Sequence, residues 1–281
     1  MFLHNQENLV NFDHVLGISN LHRKKPLNIS FKLLNFKSFY KYNILIFRYL
    51  ITCFQKLSST KMTDTYPLQI TLIDCSPLVI DNSYHVVEED VLAEWVAQLL
   101  LGNSLHIARV IECLDSSAVS MKDKAIDCII KKLNTVGVYK RDGWLFQMIS
   151  WIALKIKLHE DNGSGKVFMN APHSAPAQHG IDGFALVIDD KKMIKHIVLC
   201  EDKCTEDARS IITSQIYPEF VNFENSEFDN RVLAEVSSII RSEDFLINIQ
   251  DDIVDNKYWM YRIGVTRQSE HDDEAGRKAL Y

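Results

Sequence analysis

The stretch QHGIDGFALVIDDKKMIKHIVLCEDK, residues 178–203, sets two apolar runs on either side of a charged centre, Asp189-Asp190-Lys191-Lys192. Asp182 opens the first run, and Glu201 and Lys203 close the second. The pattern predicts two strands, GFALVIDD and KMIKHIVLCEDK, joined by a tight turn at about Asp190-Lys191. Side chains at i and i+2 of a strand share a face, so Glu201 and Lys203 project together, about 6 to 7 Å apart along the backbone. An antiparallel pairing of the two runs brings Asp182 beside them. The three side chains then converge on one spot.

Upstream, RDGWLFQMISWIALKIKLHED (141–161) reads as a helix from Asp142 or Gly143 to about Leu158, apolar enough to be covered on both sides. NGSGK (162–166) stops it, and VFMNAPHSAPAQHG (167–180), with Pro172 and Pro176, reads as a loop. LQITLIDCSPLVI (68–80) reads as a strand ended by Pro77 and a turn at Asp81-Asn82. VVEEDVLAEWVAQLLLG (86–102) reads as a helix with a Gly stop, SLHIARVIECL (104–114) as a second, and SMKDKAIDCIIKKLN (120–134) as a third with Ser120 at its cap. Downstream, TEDARSIITSQIYPEFVNFE (205–224) opens as a helix capped by Thr205 that should end near Tyr217, because Pro218 follows. FDNRVLAEVSSIIRS (228–242) is another helix, KYWMYRIGVTR (257–267) a late strand, and EHDDEAGRKALY (270–281) the start of one more helix. This order predicts an α/β or α+β chain with a mixed sheet.

The 281 residues, 47% hydrophobic and 24% charged, suffice for one large domain or two small ones. The net charge of −6 gives no overall pull toward nucleic acid, so a nucleic-acid reading must rest on a local site. Residues 1–61 hold nine Lys/Arg against Glu7 and Asp13, whereas residues 62–281 hold 22 bases and 35 acids. The division is therefore a basic N-terminal extension (1–61), a mostly helical region (62–140) and a core (141–281). Met62 opens MTDTYPLQITLIDCSP, which reads as a normal protein start, with 1–61 as an upstream stretch. YNILIFRYLITCF (42–54) is too short and too broken by Arg48 to span a membrane. Six cysteines in no regular framework indicate a reducing, cytoplasmic compartment; Cys200 and Cys204 lack the further pair a zinc site needs. No internal repeat or GxxxxGK[ST] phosphate loop is present, which weakens a nucleotide-hydrolysing reading.

Two carboxylates on a fixed frame make a site for Mg²⁺ or Mn²⁺, hard ions that take oxygen ligands; the backbone carbonyl of Asp202 is a further oxygen. A metal there polarises a phosphate, and a nearby Lys203 orients water or stabilises charge on the phosphate. Asp182, followed after 18 residues by Glu201-Asp202-Lys203, resembles the PD-(D/E)xK nuclease superfamily, which places an Asp at one strand and acid-x-Lys on the next, after a helix. The resemblance spans about residues 141–217. It implies an α/β fold with a restriction-endonuclease-like core, a mixed central sheet flanked by helices, here with an additional N-terminal helical region. It also implies a metal-dependent nuclease acting on DNA, with catalytic Asp182, Glu201 and Lys203 and metal ligands Asp182, Glu201 and Asp202. The departures are Ile181 in place of Pro, and neutral Gln147 where many members carry a helical Glu. More loosely, GWLFQMISWIA, QHGIDG and EDKCTEDAR are similar to effectors of the Hachiman antiphage system, which implies a helicase or ATPase partner.

Auxiliary positions carry two readings each. Gln147 is a site residue or a satisfied polar group in a covered helix. Gln178 and His179 are nucleic-acid contacts; His179 reads otherwise as a ligand, a general base or a turn histidine bonded to backbone. Arg209 contacts phosphate near a helix N-terminus or is an ordinary surface residue. Gly180 and Gly183 would let the backbone approach a substrate. His173 has no evident partner, Lys191, Lys192 and Lys195 are a solvated turn or touch the DNA backbone, and Trp144 and Trp151 are core or base-stacking residues. The alternative to catalysis is an inactive nuclease-fold subunit that binds nucleic acid or acts as a scaffold. The acid excess of 62–281 leaves the grip on DNA to a partner or a homo-oligomer.

Overall fold

A computed structural model describes residues 29–35, 66–76, 79–112, 121–162, 165–177, 179–240, 249, 252–267 and 275. Among these residues one seven-stranded sheet organises the chain. Its strands are β1 (Ile29–Asn35), β2 (Leu68–Ser76), β3 (Val79–Val86), β4 (Lys166–Met169), β5 (Gly183–Ile188), β6 (Ile194–Lys203) and β7 (Trp259–Arg267), in the order β2-β3-β1-β7-β6-β5-β4. The sheet is mixed: β1 pairs parallel with β3 and β7, β6 pairs parallel with β7, and the hairpins β2–β3, β4–β5 and β5–β6 are antiparallel. Residues 1–61 thus contribute β1, and residues 62–140 contribute β2 and β3 besides their helices.

Helices α1 (Glu89–Glu112), α2 (Met121–Thr135) and α3 (Val138–Asn162) pack together around Leu92, Val96, Ile129, Trp144 and Ile149. The far end of α3, Leu154 and Leu158, lies on Ala185, Val187, Val198 and Cys200 of one sheet face. The opposite face, carrying Phe184, Leu186, Ile197, Leu199 and Ile263, is covered by the segment between β6 and β7. That segment holds α4 (Ala208–Ile211), a π-helical turn (Ile212–Ile216), α5 (Tyr217–Glu224) and α6 (Asp229–Ile239). Its length is what a parallel β6–β7 connection requires. All six residues of β5 are buried, as its unbroken apolar run predicts for a strand covered on both faces.

The 189–193 turn forms where charge interrupts the apolar pattern. Asp189 Oδ1 accepts from Lys191 N (2.8 Å) and Met193 N (2.9 Å), and Lys192 takes φ 64°.

Six expectations are corrected. Asp81-Asn82 is no turn: both lie inside β3, because the chain has already reversed between Ser76 and Val79. Gly102 does not stop α1, which runs 24 residues through it to Glu112; tertiary packing overrides the weak helix propensity of one glycine. The loop after α3 contains β4, an edge strand held by β5. The cap of α4 is Asp207, whose carboxylate accepts from Ser210 N (3.0 Å), while the Thr205 hydroxyl accepts from Asp207 N (3.0 Å) and its backbone bonds Thr266 of β7. Pro218 does not end the helix. The π-helical turn shifts the hydrogen-bond register just before it, and the proline falls in the first turn of α5, where its missing N–H costs nothing. The α3 helix also begins one turn earlier than expected, at Val138. Ser120, Gln178 and 42–54 lie outside the described residues, as does most of 270–281.

One pH dependence comes from the sheet itself. His196 on β6 is partly buried, and burial, with Lys195 adding to it, lowers its pKa from 6.5 to about 4. The unfolded chain then binds the proton more readily, so this contribution to stability is full above pH 6.5 and is lost as pH falls toward 4. Allowing for partial solvent access, about 2 kcal/mol should disappear across that window. Urea titrations at several pH values should show the loss in the wild type and a flatter profile in His196→Gln.

Candidate active site at the strand ends

The hairpin brings the charged strand ends together. Gly183 opposes Cys200 in the β5–β6 register, so Asp182 meets the end of β6. Lys203 Nζ lies 2.7 Å from Glu201 Oε2 and 3.2 Å from Asp182 Oδ2. Asp182 Oδ2 also accepts from the backbone N–H of Asp202 (2.9 Å), and its Oδ1 accepts from Gln147 Nε2 on α3 (2.6 Å). The sequence-read set of Asp182, Glu201, Lys203 and Gln147 is therefore one cluster. Both carboxylates are buried, with Asp182 6% and Glu201 4% exposed, while the Lys203 side chain is 32% exposed.

Electrostatics follow from that burial. Glu201 is pushed well above the usual carboxylate range by burial and by the neighbouring Asp182 charge, against the pull of Lys203. Burial works against the Lys203 ammonium, but Glu201 and Asp182 outweigh it and raise its pKa. One ammonium is shared between two buried carboxyl groups.

Asp202 takes a different part from its neighbours. Strand alternation turns its side chain to the α3 face, where Oδ1 accepts from Ser150 Oγ (2.6 Å) and Arg262 NH1 (3.2 Å). Its carboxylate is thus spent on a buried ion pair, and only its backbone faces the Asp182 side. Burial raises its pKa, with Arg262 and Ser150 opposing the rise.

Other expectations divide. His179 and Arg209 are exposed and share no hydrogen bond with the cluster among the described residues. Gly180, at φ 146°, serves the fold: a Cβ there would stand 3.3 Å from His173 Nε2. Gly183 likewise faces Cys200, not open space. Trp144 and Trp151 are core, as expected, and fasten the 170–173 loop to α3 by donating to the carbonyls of His173 and Asn170 (2.7 Å each). Cys200 is buried, and burial raises the Cys204 thiol to about 12.

Sequence reasoning missed four residues. His173 is buried with Nδ1 3.7 Å from Asp182 Oδ1, and no hydrogen bond reaches that nitrogen. Burial lowers its pKa, with Asp182 pulling the other way. Glu219, just after Pro218, is raised by burial and feels Lys203 and Asp182; Arg231 lies 3.5 Å away. Ser150 and Arg262 form the anchor under Asp202. Arg262 carried a usable signal: a lone Arg in the apolar run WMYRIGV needs a buried counter-charge.

Among the described residues no three His, Cys, Asp or Glu side chains form a ready metal-ligand group, and no helix is long and apolar enough to cross a membrane. Comparison with family models, curated proteins and solved structures finds no match.

Proposed function

We propose that the chain is a metal-dependent nuclease of the PD-(D/E)xK type, with a restriction-endonuclease-like core, hydrolysing phosphodiester bonds in DNA. The observation that carries this reading is the Lys203 ammonium held between two buried carboxylates from adjoining strand ends. A cation already sits where Asp182 and Glu201 converge, and the donors are hard oxygens. That donor set fits Mg²⁺ or Mn²⁺. Bound there, the ion would polarise a phosphate and acidify a water. Gln147 and the Asp202 N–H fix both oxygens of Asp182, so the carboxylate is aimed before substrate arrives. Lys203, partly exposed, orients the attacking water and donates to the oxygens on which charge builds. The acid excess of residues 62–281 leaves the grip on DNA to a helicase or ATPase partner, as in antiphage defence, or to a second copy of the chain.

A non-catalytic subunit is the second reading. It is favoured by the closure of the cluster on itself, since both oxygens of Asp182 already accept hydrogen bonds within the chain. Two measurements separate the readings. Purified protein should cleave linear, circular or single-stranded DNA with Mg²⁺ or Mn²⁺, and Lys203→Ala should cut at least about 100-fold more slowly. Mn²⁺ at about 100 times its dissociation constant should stabilise the wild type by about 2.7 kcal/mol. A melting temperature unmoved by Mn²⁺ would favour the non-catalytic subunit.

A further inference from the structure

We infer that Asp202, Ser150 and Arg262 are positioning residues for this site, an inference that rests on the metal-site reading above. The middle residue of Glu201-Asp202-Lys203 belongs to two structures at once. Its backbone N–H holds Asp182 Oδ2 at 2.9 Å. Its side chain is anchored on the opposite face of the sheet, 4% exposed, to partners on two other elements. Ser150 Oγ, from α3, donates to Asp202 Oδ1 at 2.6 Å, and Arg262 NH1, from β7, donates to the same oxygen at 3.2 Å. Arg262 NH2 closes the ring by donating to Ser150 Oγ (2.6 Å) and to the Ser150 carbonyl (3.1 Å).

The anchor has a dedicated cradle. Asp202 faces Gly264 across the parallel β6–β7 register. A Cβ at Gly264 would fall 2.0 Å from Asp202 Oδ1 and 2.9 Å from Ser150 Oγ, so the carboxylate occupies the space that the missing side chain leaves. A carboxylate pinned there fixes the rotation of the peptide unit whose N–H points at Asp182. The same α3 that supplies Ser150 supplies Gln147 to the other oxygen of Asp182. One helix and one buried ion pair therefore set both lone-pair directions of a proposed ligand. Groups that orient a ligand from behind typically tune metal affinity or activity by about 10- to 100-fold.

The test uses the full chain and Mn²⁺ as probe, with the dissociation constant read by electron paramagnetic resonance. Ser150→Ala keeps the ion pair and removes its bridge. The double variant Asp202→Leu with Arg262→Met replaces the pair by apolar residues of similar volume, an exchange that commonly preserves stability. Near-UV circular dichroism and metal-free melting report the fold. Both variants should fold and bind Mn²⁺ at least about 10-fold more weakly than the wild type, with kcat lowered and KM for DNA unchanged. Folded variants that bind Mn²⁺ as tightly as the wild type would overturn the positioning role and leave the metal site standing. A wild type that binds no Mn²⁺, like a Glu201→Gln control, would overturn the metal site and this inference with it.

Discussion

Glu201→Gln is expected to abolish DNA cleavage while raising the melting temperature of the metal-free protein. The two effects have one cause. Glu201 is a buried carboxylate beside a second buried carboxylate, with one ammonium shared between them. Burial and the Asp182 charge both disfavour its ionised form, and the amide removes that charge while keeping the shape. Lys203 keeps Asp182 as its partner at 3.2 Å, so no ammonium is stranded. On the proposed reading function loses what stability gains: with one ligand carboxylate fewer the site should hold a metal poorly, and cleavage should fall at least about 100-fold. Thermal melts with and without Mn²⁺, beside a cleavage assay, check both halves. A variant that melts lower than the wild type would show that the Lys203–Glu201 contact outweighs the cost of the buried charge.

Of the two glycines in the described strands, Gly264 should be far the more destabilising to replace by alanine. The new carbon would meet the Asp202 carboxylate at a distance no real Cβ tolerates, and Ser150 close behind it. Asp202 cannot swing aside freely, because its oxygen is committed to Arg262 and Ser150. Moving it separates a buried ion pair, at a cost of about 3–5 kcal/mol, and lowers the melting temperature by on the order of 10 °C. Calorimetric melts of the purified variant measure this. The accompanying loss of Mn²⁺ binding should exceed that of Ser150→Ala, since the whole carboxylate is displaced.

The site was legible where chemistry and periodicity coincide. Alternation along a strand puts Glu201 and Lys203 on one face and Asp202 on the other, and a single tight turn brings Asp182 back to them. No tertiary knowledge is needed for that step. Gln147 was legible from its place in the helix ahead of the hairpin. What stayed hidden depends on distant partners. His173 is placed by Trp144, and nothing in a proline-rich loop announces a histidine held against Asp182. Glu219 was lost with Pro218, because the local rule that a proline ends a helix does not foresee a π-helical turn. Asp81-Asn82 reads as a turn by composition, yet β2 and β3 reverse earlier, and both residues are carried through β3 by pairing on either side. Gly102 fails for the same reason: a signal worth about 1 kcal/mol gives way to a packed helix face.

The parallel docking of β7 beside β6 also bears on the order in which the molecule is made. Asp182, Glu201 and Lys203 leave the ribosome within one hairpin, but Arg262 follows Asp202 by 60 residues. Until β7 arrives, Asp202 lacks its Arg262 partner and β6 is paired on one edge only, by β5. Contacts this far apart in sequence form late, because their loop must close before they are rewarded. A nascent chain therefore carries the three charged strand ends well before the ion pair that braces them, and a fragment ending at residue 255 should keep the β5–β6 hairpin residues but leave Asp202 without Arg262.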